Sequence, residues 1–186
     1  RILWREEELS PGDLLMITKN SYFWTENIEG IEFLANGEII EVVRIRKTQE
    51  LYGFRFCDVL VRSIDYDIDL EIKLLLDALQ FPTAGLSRER SNDLFYNILE
   101  DYSDVSTKAV KMKKMKVDPF FNAVQVKFAY AITCHKAQGG EWKNVFLDLG
   151  YISEEYLGVN FYRWLYTAIT RASGKLYFVN LTDESL

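Results

Sequence analysis

The residues best suited to chemistry lie in the ten-residue segment 133–142, TCHKAQGGEW, which directly follows an apolar strand pattern. Thr133 is suited to cap a helix, and the N-terminus of a helix attracts phosphate. Gly139-Gly140 allows the backbone to approach a ligand closely. The pattern predicts contact with an anion or a base, whereas a capped turn with solvated polar groups is an alternative that composition leaves open. The side chains that would make such contacts are Lys136, Gln138 and Glu141.

A second group of polar residues follows the helical pattern of residues 161–172, which has two faces. The opposite face is apolar. Two arginines on a stripe with hydroxyls suit an anion, although taken alone this stripe is better explained as an ordinary exposed face. The polar stripe consists of Arg163, Tyr166, Thr167, Thr170 and Arg171.

The elements that must position these residues follow a β-α-β-α-β order over residues 122–186. We expect strands at 124–130, 145–149 and 175–180, a short helix starting near Thr133, and a helix over 161–172 that Ser173-Gly174 stops. Strands separated by helices predict a parallel sheet with ligand chemistry at the carboxyl ends of its strands.

The first half of the chain favours short β-strands with tight turns, at 14–17, 39–45, 54–61 and 64–72. Turn signals stand at residues 10–13 and at Asn36-Gly37. The pattern predicts a small barrel that leans on a neighbour for its core. Acidic residues alternate along 64–72, and a solvated edge that discourages strand pairing is favoured over a metal site there. These acids are Asp65, Asp67 and Asp69.

Residues 80–118 have a helical character. An apolar face recurs at helical spacing, and Ser87 or Ser91 is positioned to cap this helix. The lysine-rich run 111–116 has two interpretations, contact with phosphates or a solvated helix end or loop, and the second is favoured. Phe23 and Trp24 are candidates for stacking on bases. The apolar face comprises Leu94, Phe95, Ile98, Leu99 and Tyr102.

Composition limits the class of protein. The chain has 186 residues with 28 acidic and 22 basic side chains, a net charge of −6. Two cysteines exclude a disulfide scaffold, and with one histidine they cannot complete a four-ligand Cys/His zinc site. No apolar run approaches the roughly 18 residues of a membrane span, so we expect a soluble cytoplasmic protein with no membrane partner.

The charge is divided unevenly along the chain. Residues 1–100 hold 11 basic and 19 acidic side chains, whereas residues 101–186 hold 11 basic and 9 acidic ones. A net acidic chain is a poor candidate for tight nonspecific binding of nucleic acid through a long basic surface. The composition still allows local contact with a nucleic-acid strand through a few well-positioned side chains.

The two polar segments together resemble a known family. The order strand–TCHKAQGGEW–strand, then RWLYTAITRA and a closing strand, is similar to motifs V and VI of superfamily-1 DNA helicases. HKAQG with YTAITRA resembles the RecD-like branch (exonuclease V alpha subunit), near Dda-like and Pif-type helicases. The upstream pattern LSPGDLLMITKN followed by NGEIIEV resembles the SH3-like barrel inserted in that branch. The UvrD/AddA branch carries larger helical insertions and fits less well.

The resemblance implies an α/β fold: the second RecA-like domain, with a parallel sheet of the P-loop NTPase type but no phosphate loop, carrying an inserted SH3-like β-barrel. It implies a lead-in segment at 1–9, the barrel at 10–79, a helical connection at 80–121, and the C-terminal part of the RecA-like domain at 122–186. Because the chain starts at Arg1 and has no G-x-x-x-x-G-K-[ST] loop, we expect the first RecA-like domain to lie upstream.

The resemblance also implies roles for individual residues. Arg171 matches the motif VI arginine that reaches the γ-phosphate of ATP, and is the implied catalytic residue. Gln138, Gly139 and Glu141 match nucleotide-binding positions, with Arg171 among them. Thr133, His135 and Lys136 match positions that contact DNA and couple it to the ATP site. Tyr166, Thr167 and Thr170 are supporting positions of motif VI.

The implied activity is ATP-dependent translocation on single-stranded DNA with duplex unwinding, by an intact enzyme of which this chain alone is inactive. The cofactor is ATP with Mg²⁺, whose metal ligands lie outside the chain, and no metal site is expected within it. Implied partners are single-stranded DNA, the upstream RecA-like domain, and nuclease or recombination subunits. The alternative is a non-enzymatic module that binds nucleic acid or protein on a degenerate helicase scaffold.

Overall fold

The computed structural model describes residues 7–83, 85–105, 107–150 and 158–180. The chain divides into two compact units, Arg1–Tyr130 and Ala131–Leu186, which are considered separately below. None of the described helices is long and apolar enough to cross a membrane.

The first unit contains a closed five-stranded barrel, as the short strands predicted. β1 pairs antiparallel with both β2 and β5, and β4 closes onto β5 in parallel. Most of the buried apolar side chains of these strands form one core, with Leu15, Ile17 and Ile40 fully inaccessible to solvent. The strands are β1 Leu14–Ile17, β2 Ile39–Leu51, β3 Phe54–Ser63, β4 Ile68–Leu75 and β5 Val124–Phe128.

The fifth strand corrects the predicted β-α-β-α-β order. Residues 124–128 were expected to begin the parallel sheet of a domain starting at residue 122, but β5 pairs in the barrel and the two units divide after Tyr130. Its alternating pattern predicts a strand without saying which sheet contains it, because partner choice depends on distant residues. Tyr130 also belongs to the barrel unit, where its hydroxyl donates to Asp13 Oδ1 at 2.5 Å.

The turns between strands form where the sequence predicted them. Gly37 has φ +99°, a left-handed conformation that glycine adopts without steric cost. At the turn of residues 10–13, Asp13 Oδ2 accepts from the Ser10 N–H at 2.7 Å and the Asp13 N–H donates to the Ser10 carbonyl at 3.1 Å. These local bonds fix the start of β1.

The acidic strand differs from its prediction. Asp65 and Asp67 lie in a turn, and β4 is an interior barrel strand rather than an edge. Asp69 accepts from Arg62 Nε at 2.8 Å, and Glu71 pairs with Arg46. The Arg62 hydrogen bond lowers the pKa of Asp69. The stripe is therefore a set of cross-strand ion pairs on the outer face of the barrel.

Three helices follow the fourth strand: α1 Asp77–Gln80, α2 Arg88–Glu100 and α3 Lys108–Lys116. They cover a second buried cluster that includes Phe54, Phe56 and Leu75 of the barrel strands. The predicted apolar face of α2 is confirmed, with Leu94 and Ile98 buried in this cluster. The lysine-rich run is helical over the full length of α3.

Ser87 caps α2, since its hydroxyl accepts from the Arg90 N–H at 3.2 Å. We expect Ser87→Ala to lower the free energy of unfolding by about 1 kcal/mol, because an N-terminal N–H loses its acceptor. Ser91→Ala is the matched control, since Ser91 lies inside the helix and is exposed. Urea denaturation of the two variants measures the difference, and equal stability would contradict the cap.

Trp24, a candidate for base stacking, is half-buried. It packs against the barrel core, and its indole N–H donates to the Asn122 carbonyl at 2.8 Å. Phe23 is half-buried beside it in an edge-to-face contact. A half-buried indole whose N–H is bonded is explained as a structural anchor, and base stacking by Trp24 stays a prediction.

The second unit is a small α/β arrangement of β6 Trp142–Asp148, α4 Val159–Ile169 and β7 Ala172–Val179. β6 and β7 pair in parallel, from Trp142 opposite Ala172 to Asp148 opposite Val179. The helix was predicted to reach residue 172 and stop at Ser173-Gly174, but it ends at Ile169, and those two residues lie within β7. Gly174 is required there, since a Cβ would come within 2.5 Å of the Lys143 carbonyl oxygen.

Candidate functional site

The predicted short helix near Thr133 is a series of turns over residues 134–139. The Thr133 carbonyl accepts from the N–H groups of Lys136 at 2.9 Å and of Ala137 at 3.0 Å, and the Ala137 carbonyl accepts from the Gly140 N–H at 3.1 Å. Ala137 is buried, which anchors the turn. Gly139 has φ +85°, so the chain reverses direction there instead of continuing as a helix.

Arg171 links the end of α4 to this turn. Its Nε donates to the Thr167 carbonyl at 3.1 Å, Nη1 to the Gly140 carbonyl at 3.0 Å, and Nη2 to Thr170 Oγ1 at 3.2 Å. The Arg171 carbonyl accepts from the Trp142 N–H at 2.9 Å. Arg171 therefore lies just beyond the helix in which it was predicted, held by both polar segments.

Gly140 contributes a close approach that the residue roles implied by the resemblance did not include. A Cβ at this position would come within 2.2 Å of the Trp142 ring. The indole covers the Gly140 backbone. The Gly140 carbonyl accepts a hydrogen bond from the Arg171 guanidinium. The glycine pair in the sequence was the available indication, but only the structure separates the roles: Gly139 reverses the chain and Gly140 accommodates the ring.

The hydroxyls of the motif VI stripe bond within α4. Thr167 Oγ1 donates to the Arg163 carbonyl at 2.9 Å, and Thr170 Oγ1 donates to the Tyr166 carbonyl at 2.9 Å. Tyr166 itself is 68% exposed. Thr170 thus supports Arg171 directly, Thr167 does so through its carbonyl, and Tyr166 stays open to solvent.

Cys134 forms a further link between the turn and the helix. Its thiol donates to the Trp164 carbonyl at 3.5 Å. Burial raises the pKa of the Cys134 thiol, while the charge of Arg171 opposes that shift. The thiol is consequently a protonated packing group at neutral pH rather than a nucleophile.

Four of the other predicted residues are exposed: Thr133, His135, Gln138 and Glu141. Among the described residues, the side chains of His135, Gln138 and Glu141 have no hydrogen-bonding or ionic partner. Lys136 is half-buried and has an interaction partner in the protein. The structure thus gathers Arg171, Thr170, Thr167 and Gly140 by direct contact, whereas Thr133, His135, Gln138 and Glu141 lie exposed in or next to the turn.

This arrangement is chemically suited to an anion. A guanidinium has five N–H groups, and three of them are used by acceptors in the described residues. The remaining N–H groups keep a fixed orientation because the other three hold the plane of the group. A partly buried, oriented guanidinium is the type of donor that binds phosphate oxygens.

Part of the chain is similar to known proteins. Residues 128–179 match the family model of the UvrD-like helicase C-terminal domain. The uncharacterized protein MJ1519 of Methanocaldococcus jannaschii is 36% identical over 69 residues, which are 34% of this chain and 5% of that protein. The crystal structure of Pif1 helicase from Candida albicans is similar over 95% of this chain and 33% of that one, with 15% identity and a TM-score of 0.43.

The family match supports the helicase part of the resemblance for residues 128–179. The chain spans only a small share of the length of the relatives it matches.

Proposed function

We propose that this chain is the C-terminal part of an ATP-dependent DNA helicase of RecD-like type. The intact enzyme would couple ATP hydrolysis to translocation on single-stranded DNA and to duplex unwinding. The family match over residues 128–179 supports the helicase part of the proposal. The residues that hold the phosphates and Mg²⁺ would belong to an upstream RecA-like domain.

The observation that carries the proposal is the attachment of Arg171 to both polar segments, through Thr167, Thr170 and Gly140. A guanidinium already fixed by the protein stabilises charge on a transferred phosphoryl group without reorganising during the reaction. Its remaining N–H groups fit the oxygens of a γ-phosphate. Arg171 would also detect loss of that phosphate, because one of its anchor points, the Gly140 carbonyl, lies next to the turn that carries the other polar residues.

The segment of residues 133–141, which contains the turn, would contact two ligands. Exposed Gln138 and Glu141, with the open backbone at Gly139, suit the hydroxyls of a nucleotide. Thr133, His135 and Lys136 would contact the single-stranded DNA and couple DNA binding to nucleotide binding. Backbone hydrogen bonds provide a physical basis for this coupling. The Thr133 carbonyl accepts from the N–H groups of Lys136 and Ala137, and the Gly140 N–H donates to the Ala137 carbonyl.

The partners in this proposal are single-stranded DNA, the upstream RecA-like domain of the same protein, and nuclease or recombination subunits where the motor works inside a larger complex. The first domain would deliver ATP with Mg²⁺ to Arg171.

We expect purified residues 1–186 to show no DNA-stimulated ATP hydrolysis, because the chain contains no phosphate loop. The intact protein should hydrolyse ATP when single-stranded DNA is added and should displace a labelled strand from a duplex only when ATP is present. Phosphate release and strand-displacement assays measure both activities. Hydrolysis by the chain alone would contradict the proposal, and an inactive intact protein that still binds DNA would favour a non-enzymatic binding module.

A further inference from the structure

Helix α3 concentrates positive charge that the first unit does not neutralise. Its nine residues include five lysines and no acid. Within the described residues, none of these lysines forms an ion pair, whereas Arg46, Arg55, Arg62 and Lys73 of the same unit all pair with carboxylates. The five charges lie along about 12 Å of helix axis. The lysines are Lys108, Lys111, Lys113, Lys114 and Lys116.

The contacts of α3 leave these charges at the surface. Met115 is the buried anchor of the helix, while Lys113, Lys114 and Lys116 are exposed. Lys111 Nζ donates to the Ser103 carbonyl at 3.4 Å, and Lys114 Nζ lies 5.8 Å from the centre of the Tyr102 ring. The Tyr102 hydroxyl donates to Asp118 at 2.7 Å, and this hydrogen bond, together with burial, raises the pKa of Tyr102 to about 12. Tyr102 therefore adds no negative charge beside the lysines.

A groove of about 670 Å³ lies between α2 and α3. Its wall is apolar at Phe95, Leu99 and Met112, with Lys108 and Lys111 on the α3 side and one carboxylate, Asp104, at the rim. Tyr96 also lines the groove and is 61% exposed, in edge-to-face contact with Phe95. The groove thus combines an open aromatic ring with ammonium groups that form no ion pair within the described residues.

We propose that the groove and the lysines of α3 form a binding site for single-stranded nucleic acid, with phosphates on the lysines and a base on Tyr96. Basic grooves with exposed aromatic rings are typical of single-strand binding. An acidic peptide would need its lysine partners to lie next to the apolar wall of the groove. The lysines of α3, however, also extend beyond that wall. The site lies in the first unit and uses no nucleotide-contacting residue, so it goes beyond the proposed motor.

The test is the fluorescence anisotropy of labelled oligo(dT) titrated with the full chain at several salt concentrations, without ATP. The double variant Lys108→Glu/Lys111→Glu should bind at least about tenfold more weakly. Its plot of log affinity against log salt should be less steep by about 1.4, at roughly 0.7 per lost phosphate contact. The control Lys19→Glu/Lys47→Glu makes the same charge change at exposed positions of the same unit and should stay within about twofold of the unmodified chain.

The aromatic contribution is tested separately. Tyr96→Ala should weaken binding by about fivefold or more, since a stacked base contributes measurably to affinity. Tyr66→Ala is its control, because Tyr66 is 50% exposed in a turn of the barrel. Equal losses in variants and controls would overturn the site. Displacement of oligo(dT) by poly-glutamate as effectively as by unlabelled oligo(dT) would assign the surface to an acidic polypeptide instead.

Discussion

In the intact protein, Arg171→Ala should lower DNA-stimulated ATP turnover by about 10³-fold or more, while ATP still binds. An arginine that stabilises charge on a transferred phosphoryl group contributes an effect of this size. Binding should survive because the proposal places the main phosphate and metal contacts on the upstream domain. Steady-state phosphate release measures turnover, and a fluorescent ATP analogue measures binding.

Two further variants separate the role of Arg171 from its charge and from general damage to the helix. Arg171→Lys keeps the positive charge but has one nitrogen, which cannot replace both Nε, bonded to Thr167, and Nη1, bonded to Gly140, so we expect it to stay strongly impaired. Arg163→Ala removes an exposed arginine of α4 and should retain nearly normal turnover. Turnover by Arg171→Ala within a few-fold of normal would refute the assigned role.

The location of Arg171 shows what the sequence predicted and what it missed. The pattern predicted a helix over 161–172, and the helix forms at Val159–Ile169, whereas the anion-binding role of Arg171 was implied only by the resemblance. The hydrogen bond from Arg171 to Gly140 joins residues 31 positions apart, and no local pattern contains it. Likewise the turn at Asn36-Gly37 was predictable from local backbone preference, whereas the pairing of β5 with β1 depends on distant partners.

The acidic stripe gives the same lesson in electrostatic terms. Alternation correctly predicted that Asp69 and Glu71 lie on one outer face, but Asp65 and Asp67 fall in the turn. The arginines that neutralise the stripe come from other strands, Arg62 from the adjacent β3 and Arg46 from β2 beyond it. Charge balance across a barrel depends on strand register, which becomes visible only when the pairing is known.

The largest loss of stability should come from Phe56→Ala, at about 3–5 kcal/mol of unfolding free energy for the barrel unit. Phe56 has no solvent exposure, and its ring contacts Phe120 edge to face, with centres 5.0 Å apart. It lies in the cluster shared by β3 and the helices, so truncation leaves a cavity that both sides line. The loss of contact with Phe120 also weakens the packing beside Lys73, whose Nζ lies 4.4 Å from the Phe120 ring centre.

Phe128→Ala is the matched control for this cavity. The deletion is chemically identical and lies in the same unit, but Phe128 is 36% exposed, so we expect a loss of roughly 1 kcal/mol. Amide hydrogen exchange of β2 to β4 in the full chain reports the opening free energy of the barrel without requiring both units to unfold together. Similar losses in the two variants would mean that the second cluster contributes little to the barrel. A markedly larger loss for Phe56 would show that the second cluster, against which the helices including the basic α3 pack, stabilises the barrel strands.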